Sequence, residues 1–298
     1  MPGSRHDSAL AASPAPRPRA GGRLPDFIAV GPPRTASTWL DRALRGHVGL
    51  PRNRKETDFF KRNYGRGLDW YQEYFRECPP DLPAGEVCPT YFPLAECRER
   101  IARDLPGVKV IVSLRDPVAR AYSYYRLMRR TAWEKASFED AVARRKDIAD
   151  TNRYAFHLRA WQELFGAENV LVCIYDDLRG SAQAYVDRIC DFIGAPRFPA
   201  GGLALGEENV NTVLRAPKNP QLARKARKLH MWLTDSQWIR TRDLLEKAGL
   251  WSFCAGRGEV FSPLDAGLEA RLREQYRPEI EELERLIGRD LRAWKPSA

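Results

Sequence analysis

The sequence predicts an α/β fold: one domain with a central parallel sheet flanked by helices and a helical C-terminal half. Its length of 298 residues suits one large domain. Several short apolar segments hardly alternate with polar residues, which is typical of strands buried on both faces of a sheet. Segments with helical spacing separate these strands, and that arrangement favours parallel pairing.

The expected elements follow from these patterns. The predicted strands are residues 27–30, 85–88, 108–114 and 170–175. The predicted helices are residues 35–44, 94–104, 118–129, 182–193 and 263–286. Residues 1–24 are rich in Pro, Ala, Ser, Gly and Arg and show no periodicity, so we expect a disordered tail before a domain of residues 25–298.

Composition restricts the class of protein. No apolar segment reaches the roughly 18 residues of a membrane span, and no signal-peptide core is present, so we expect a cytoplasmic protein. The six cysteines form no C-x-x-C pair and the four histidines are widely separated, so we expect no metal. The net charge of +10 is spread along the chain, which favours solubility and binding of an anionic ligand.

The segment VGPPRTASTW, residues 30–39, has the features of an anion site. A buried strand ends here and a helix opens near Thr35, so backbone N–H groups and the positive end of the helix dipole point to one place. Arg34 adds charge, and Thr35, Ser37 and Thr38 add hydroxyl groups. A Walker A loop would require Lys at the position of Ser37, so the segment is not that motif. The alternative is a turn whose hydroxyls cap the helix.

A second anion motif follows the VKVIVSL strand. Arg115 stands at the strand's carboxyl end, where open α/β sheets bind ligands. Asp116 and Pro117 suit a helix start, and Ser123 lies two helical turns beyond. A single surface Arg is most often a solvated salt bridge, but two such motifs in order, each after a strand, favour one divided anion site.

On these residues the chain resembles the sulfotransferases that use 3′-phosphoadenosine 5′-phosphosulfate (PAPS) and release adenosine 3′,5′-bisphosphate (PAP). Residues 33–40 resemble the family's 5′-phosphosulfate loop, and residues 114–125 match its 3′-phosphate motif, L-R-[D/N]-P-x-x-R-x-x-S-x-[Y/W]. The resemblance implies that Arg115 and Ser123 bind the 3′-phosphate. It also implies that Arg34, in the position of the family's lysine, contacts the sulfuryl group. The implied loop contacts are Arg34, Thr35, Ala36, Ser37, Thr38 and Trp39.

The segment RNRKETDFF, residues 52–60, resembles the [K/N]-E-x-x-[F/Y]-F segment of the glycosaminoglycan-type branch, whose Glu acts as base. The resemblance implies that Glu56 is the general base. The alternative for Glu56 is an exposed loop carboxylate. His47, which follows the first helix, is the rival base, or it serves only that helix's C-terminus.

Other positions carry weaker signals. That branch commonly has E-K-[T/S]-P-x-Y, but its lysine is Val87 here, which argues against copying a heparan-type substrate. Tyr91 and Phe92 are predicted to line the acceptor site. Arg215 and Lys218 are predicted to close over the nucleotide. The cluster of Arg224, Lys225, Arg227 and Lys228 is interpreted as a solvated helix face, or else as a surface for an anionic acceptor or carrier protein.

The sequence therefore predicts a bacterial sulfotransferase, of the kind used in secondary metabolism, with a P-loop-like phosphosulfate site. It would transfer the sulfuryl group of PAPS, without a metal, to a hydroxyl or less readily an amine of a small molecule or saccharide. Two alternatives stay open: a nucleotide kinase on a similar sheet, and a non-catalytic, basic nucleic-acid-binding protein, although no recognition-helix motif or aromatic platform is present. The sequence predicts neither the acceptor nor the oligomeric state.

Overall fold

The computed structural model describes residues 22–131, 133–203, 216–236, 238–255, 258 and 260–296. Its centre is a four-stranded, all-parallel sheet with the order β2-β1-β3-β4. The strands are β1 (Phe27–Gly31), β2 (Gly85–Val87), β3 (Lys109–Leu114) and β4 (Val170–Ile174). Each strand lies within one residue of its predicted bounds at both ends, and the predicted fold class is confirmed.

Helices connect and follow the strands. In the first half these are α1 (Ser37–Leu44), α2 (Gly67–Gln72), α3 (Ala95–Asp104), α4 (Pro117–Arg130), α5 (Phe138–Arg144) and α6 (Lys146–Thr151). In the second half they are α7 (Tyr154–Phe165), α8 (Tyr175–Gly180), α9 (Ala182–Ile193), α10 (Pro220–Asp235), α11 (Ile239–Lys247), α12 (Leu250–Ala255) and α13 (Ala266–Ile287). Within the described ranges, none is long and apolar enough to cross a bilayer.

Helices cover both faces of the sheet, as nearly continuous apolar strands require. Phe27 and Ala29 of β1 face a core that contains residues of α1 and α9. Ile28 and Val30 point the other way, into a larger core with residues of α3, α4, α7 and α13. Successive side chains of a strand alternate between faces, so a strand of four apolar residues supplies both cores.

Two predicted helix starts are too early, for local reasons. Helix α1 begins at Ser37 rather than Thr35, because the preceding Ala36 has a left-handed backbone. Helix α13 begins at Ala266 rather than residue 263, because the Asp265 side chain caps it by accepting from Leu268 N. Two residues that the prediction assigned to the tail contact the domain: Arg23 pairs with Asp26, and Leu24 packs against the larger core.

The strand order creates a crevice at one edge of the sheet. The chain passes from β1 to β2 on one side, whereas β3 lies on the other side of β1. The connections that leave β1 and β3 therefore diverge, and open α/β sheets bind ligands at such a point, outside the carboxyl ends of the strands. The two predicted anion motifs follow β1 and β3, and both border this crevice.

Candidate active site

The turn between β1 and α1 has the backbone shape of an anion-binding loop. Arg34 and Ala36 adopt left-handed conformations, with φ of 76° and 67°, and α1 begins directly afterwards. Where left-handed and right-handed backbone conformations alternate, successive N–H groups point into one concave site that can bind an anion. No side chain caps α1, so the first-turn N–H groups are left for a ligand. The alternative of a turn whose hydroxyls cap the helix does not agree with this geometry.

Gly31 and Trp39 anchor this loop at its two ends. Gly31 has φ of 102°, and a Cβ there would lie 2.4 Å from the Cα and carbonyl oxygen of Pro89, so only glycine fits. Trp39 was predicted to contact the nucleotide. Its side chain is 4% exposed and packs edge-on against Tyr185, with 5.9 Å between the ring centroids. Trp39 therefore contributes its side chain to the core.

The loop hydroxyls have different partners. Thr35 is 1% exposed, and its Oγ1 donates to the Pro32 carbonyl at 2.7 Å, so it stabilises the loop from within. Ser37 Oγ and Thr38 Oγ1 accept hydrogen bonds from Lys55 Nζ at 3.1 and 3.4 Å. Of the three hydroxyls predicted to bind phosphate, Ser37 and Thr38 lie beside a cation at the helix N-terminus.

The turn between β3 and α4 is built by Asp116. Its Oδ1 accepts from the backbone N–H groups of Val118 and Ala119 at 2.9 Å, which caps α4. Its Oδ2 lies 2.7 Å from Arg273 of α13. The Arg115 guanidinium lies 4.5 Å from the centroid of the Tyr175 ring. An aromatic face orients a guanidinium while leaving its N–H edge available for an anion.

Arg34 joins the two motifs. Its Nε donates to Ser123 Oγ at 3.0 Å, across 89 residues of sequence. Burial, together with the nearby guanidinium groups of Arg130, Arg115 and Arg126, lowers the pKa of Arg34 to about 10. Within the described ranges, none of these four arginines forms an ion pair with a carboxylate. The cluster therefore carries uncompensated positive charge, which an anionic ligand would neutralise.

Glu56 lies beside the anion loop, next to Lys55. Its Oε1 is 3.0 Å from Lys55 Nζ, the same ammonium group that contacts Ser37 and Thr38. Lys55 was missed as a site residue. The available signal was its position directly before the predicted base, in the first place of the [K/N]-E pattern. The structure thus brings the predicted base, an unpredicted cation and the anion loop together.

A buried carboxyl holds the segment that carries Glu56. Glu86 of β2 is fully buried, and its Oε1 accepts from the Thr57 N–H and Oγ1 at 2.6 and 2.7 Å. Its Oε2 accepts from the Tyr71 hydroxyl at 2.8 Å. Burial raises the pKa of Glu86 to about 7, although the hydrogen bonds from Thr57 and Tyr71 oppose that rise. Glu86 was also missed; its signal was a carboxyl within an otherwise apolar strand.

The predicted acceptor residues lie in the core. Tyr91 and Phe92 are both 0% exposed. The Tyr91 hydroxyl accepts from the Phe60 N–H at 3.3 Å, and the Phe92 carbonyl accepts from Trp161 Nε1 at 3.0 Å. Neither side chain presents surface to an acceptor in this structure, which does not agree with their predicted role. Val87 is 1% exposed and packs in the core on the α1 face.

The rival base lies away from the loop. His47 follows the C-terminus of α1, and the eight residues of that helix span about 12 Å. His47 Nε2 lies 2.6 Å from the Pro196 carbonyl oxygen, and its ring stacks on Phe198 at 3.8 Å. His47 is therefore at the opposite end of α1 from the loop. Lys218 is exposed, and Arg215 lies outside the described residues.

Two further features are a group of possible metal ligands that includes Glu56 and a cavity elsewhere in the structure. Ligand-type atoms of Glu56, Asp58 and Cys88 lie within 4.8 Å of one another. Burial, and then the nearby carboxyls of Glu86, Glu56 and Asp58, raise the pKa of the Cys88 thiol well above its usual range. A protonated thiol is a poor metal ligand. A cavity of about 740 Å³ adjoins α6, α13 and the segment before α3, and none of the predicted site residues lines it.

Comparisons with known proteins agree with this geometry. The family model described as "Sulfotransferase domain" matches residues 24–217. The human bifunctional heparan sulfate N-deacetylase/N-sulfotransferase 3 is 26% identical over 91% of this chain and 31% of that protein. The mouse heparan sulfate glucosamine 3-O-sulfotransferase 3B1 is 29% identical over 59% of this chain and 47% of that protein. The chain thus spans less than half the length of either relative.

A solved structure shows the same fold. The sulfotransferase from Alicyclobacillus acidocaldarius superposes with a TM-score of 0.64 and 20% identity, covering 91% of this chain and 99% of that one. The anion loop and the α4 motif both lie within the matched residues 24–217. The chain therefore belongs to the sulfotransferase family.

Proposed function

We propose that this chain transfers the sulfuryl group of PAPS to a hydroxyl group of a small-molecule or saccharide acceptor, with Glu56 as general base. The observation that carries the proposal is the 3.0 Å contact between Arg34 Nε and Ser123 Oγ. It joins a loop shaped for one anion to a helix motif that suits a second. A nucleoside that carries one phosphate group at each end matches a site with two anion-binding motifs.

Each part of the site has a task in this reaction. The uncapped N-terminus of α1 would bind the 5′-phosphate, and Arg115 with Ser123 would bind the 3′-phosphate. The acceptor oxygen attacks sulfur in line and gives its proton to Glu56, while the bond between sulfur and the bridging oxygen breaks. The electron pair of that bond leaves on the 5′-phosphate of PAP.

The proposal names the acceptor only as a class of compound. The named relatives act on heparan sulfate, one at nitrogen and one at the 3-hydroxyl. Val87 stands where that branch carries a lysine, and it is buried against α1. We therefore expect an acceptor that needs no cation at this position. A mass-spectrometric screen of hydroxylated metabolites and oligosaccharides with PAPS would identify it.

Binding of PAP tests the donor site before the acceptor is known. We expect calorimetric titration to detect PAP binding without magnesium. Arg115→Ala and Ser123→Ala should each weaken binding by about tenfold or more, because each removes a contact to a charged phosphate. Arg159→Ala is the control, since Arg159 is an exposed arginine that pairs with Glu282 at 2.6 Å on the outside of α7. Unchanged PAP affinity in both site variants would exclude this assignment.

Glu56→Gln tests the base. The substitution keeps the shape of the side chain but cannot accept the acceptor's proton, so turnover should fall by about 10²–10⁴-fold. PAP affinity should change by less than about threefold, because the nucleotide contacts remain. Glu73→Gln, an exposed glutamate paired with Arg76, is the matched control. Full turnover of Glu56→Gln would show that another group takes the proton.

A further inference from the structure

We propose that two cations bind opposite ends of the donor: Lys55 neutralises the sulfuryl end and Arg34 binds the 3′-phosphate end. The inference rests on the proposed function, and it differs from the role that the sequence resemblance implies for Arg34. That resemblance puts the loop cation beside the sulfuryl group. The geometry instead directs the Arg34 side chain toward Ser123.

The first observation concerns Arg34. Its backbone lies in the loop, but its Nε bonds to Ser123 Oγ at 3.0 Å, a residue one turn before Arg126 on α4. The charges that act on its guanidinium are Arg130, Arg115 and Arg126. These residues belong to the strand end and helix that form the second anion motif. Arg34 is thus the fourth member of an arginine cluster at that end of the crevice.

The second observation concerns Lys55. Its Nζ lies 3.1 Å from Ser37 Oγ and 3.4 Å from Thr38 Oγ1, directly at the N-terminus of α1. The same atom lies 3.0 Å from Glu56 Oε1. It is therefore held between the phosphosulfate loop and the base, where the acceptor oxygen, sulfur and bridging oxygen must align. Within the described ranges, no other lysine contacts these loop hydroxyls.

The chemistry at that point requires a cation. When the acceptor oxygen bonds to sulfur, the bond from sulfur to the bridging oxygen breaks and its electron pair stays on the 5′-phosphate. Negative charge grows on that oxygen, and the Lys55 ammonium group is placed to offset it. Glu56 takes the acceptor's proton in the same step. Lys55 is thus a catalytic residue, whereas Arg34 binds the part of the nucleotide that does not react.

Binding affinities for two pairs of ligands distinguish these two roles, and the measurement needs no acceptor. The ratio of affinities for PAP and adenosine 5′-monophosphate measures contacts to the 3′-phosphate. The ratio for PAPS and PAP measures contacts to the sulfuryl group. We expect Arg34→Met to lower the first ratio by about ten- to a hundredfold and to leave the second unchanged. Lys55→Met should change the second ratio by about tenfold and leave the first unchanged, because Lys55 contacts the end at which PAPS and PAP differ.

Conservative variants and a control sharpen the test. Arg34→Lys keeps a charge but lacks the Nε donor to Ser123, so it should recover part of the PAP preference. Lys55→Arg should move the second ratio part of the way back to the wild-type value. Lys61→Met removes a charge from the same segment and should leave both ratios unchanged. Circular dichroism and the thermal midpoint of each variant exclude unfolding as the cause.

The outcomes distinguish this inference from the proposed function. If the wild-type protein binds neither PAP nor PAPS, both fail. If it binds PAP with a preference over adenosine 5′-monophosphate, but Arg34→Met changes only the PAPS-to-PAP ratio, the division of roles is wrong and the donor site stands. Equal effects of Arg34→Met and Lys55→Met on both ratios would also overturn the division.

Discussion

Glu86→Gln tests whether one buried carboxyl ties the stability of the fold to pH. Glu86 is fully buried, and burial raises its pKa from 4.5 to about 7. Between these values the folded protein binds a proton that the unfolded chain does not. The stabilisation is therefore complete below the unfolded pKa and is lost as the pH rises through the folded pKa. From about pH 5 to about pH 8, the loss amounts to about 2.5 kcal/mol of unfolding free energy.

Urea unfolding followed by tryptophan fluorescence at several pH values from about 5 to about 8 measures this effect. Gln has the shape of Glu but cannot ionise, so the wild-type protein should lose about 2.5 kcal/mol relative to Glu86→Gln over that range. Glu73→Gln, which changes an exposed carboxylate, should follow the wild type throughout. A free-energy difference between wild type and Glu86→Gln that does not change with pH would refute the reasoning.

Three further predictions follow from the site and its supports. Ala36→Gly should stabilise the protein by about 0.5–1 kcal/mol, because φ of 67° strains an L-residue by more than glycine's added unfolded-state entropy; a lower melting temperature in calorimetry would contradict this. Arg120→Met should cost about 3 kcal/mol in urea unfolding, because it removes a 2.6 Å bond from buried Arg120 Nε to Asn152 Oδ1, and a loss below about 1 kcal/mol would refute that account. The affinity for PAP should fall more steeply with salt than that for adenosine 5′-monophosphate, because the proposed 3′-phosphate site contains uncompensated arginines; equal salt dependence of the two titrations would oppose this.

Much of the fold could be predicted because its signals are local. Apolar runs and helical spacing placed all four strands within one residue of their observed bounds at both ends and matched α9 (Ala182–Ile193). The errors at helix starts are also local. A left-handed Ala36 delays α1, and the side-chain cap of Asp265 delays α13. Neither effect follows from hydrophobic periodicity, so pattern alone extends a helix past its true start.

The chemistry of the site was less predictable because it depends on contacts between distant segments. Arg34 and Ser123 are 89 residues apart, and Lys55 and Ser37 are 18 residues apart. A motif names a residue but does not direct its side chain, so Arg34 was expected at the sulfuryl group and lies against α4. The aromatic Tyr91 resembled a pocket wall in the sequence, yet its hydroxyl satisfies a backbone N–H in the core.

The proposed base is positioned by the sheet even though it lies on a loop. Glu56 precedes the π-helical turn Phe59–Asn63 and belongs to no helix or strand. Its neighbour Thr57 is held through both its N–H and its hydroxyl by Glu86 of β2. β1 leads into the anion loop and β3 into Arg115, so three adjacent strands each support one part of the site. Because the third support is a carboxyl with pKa near 7, its hydrogen bonds to Thr57 strengthen as it ionises. Ionisation of Glu86 therefore weakens the fold as a whole while strengthening the hydrogen bonds that hold the segment of the proposed base.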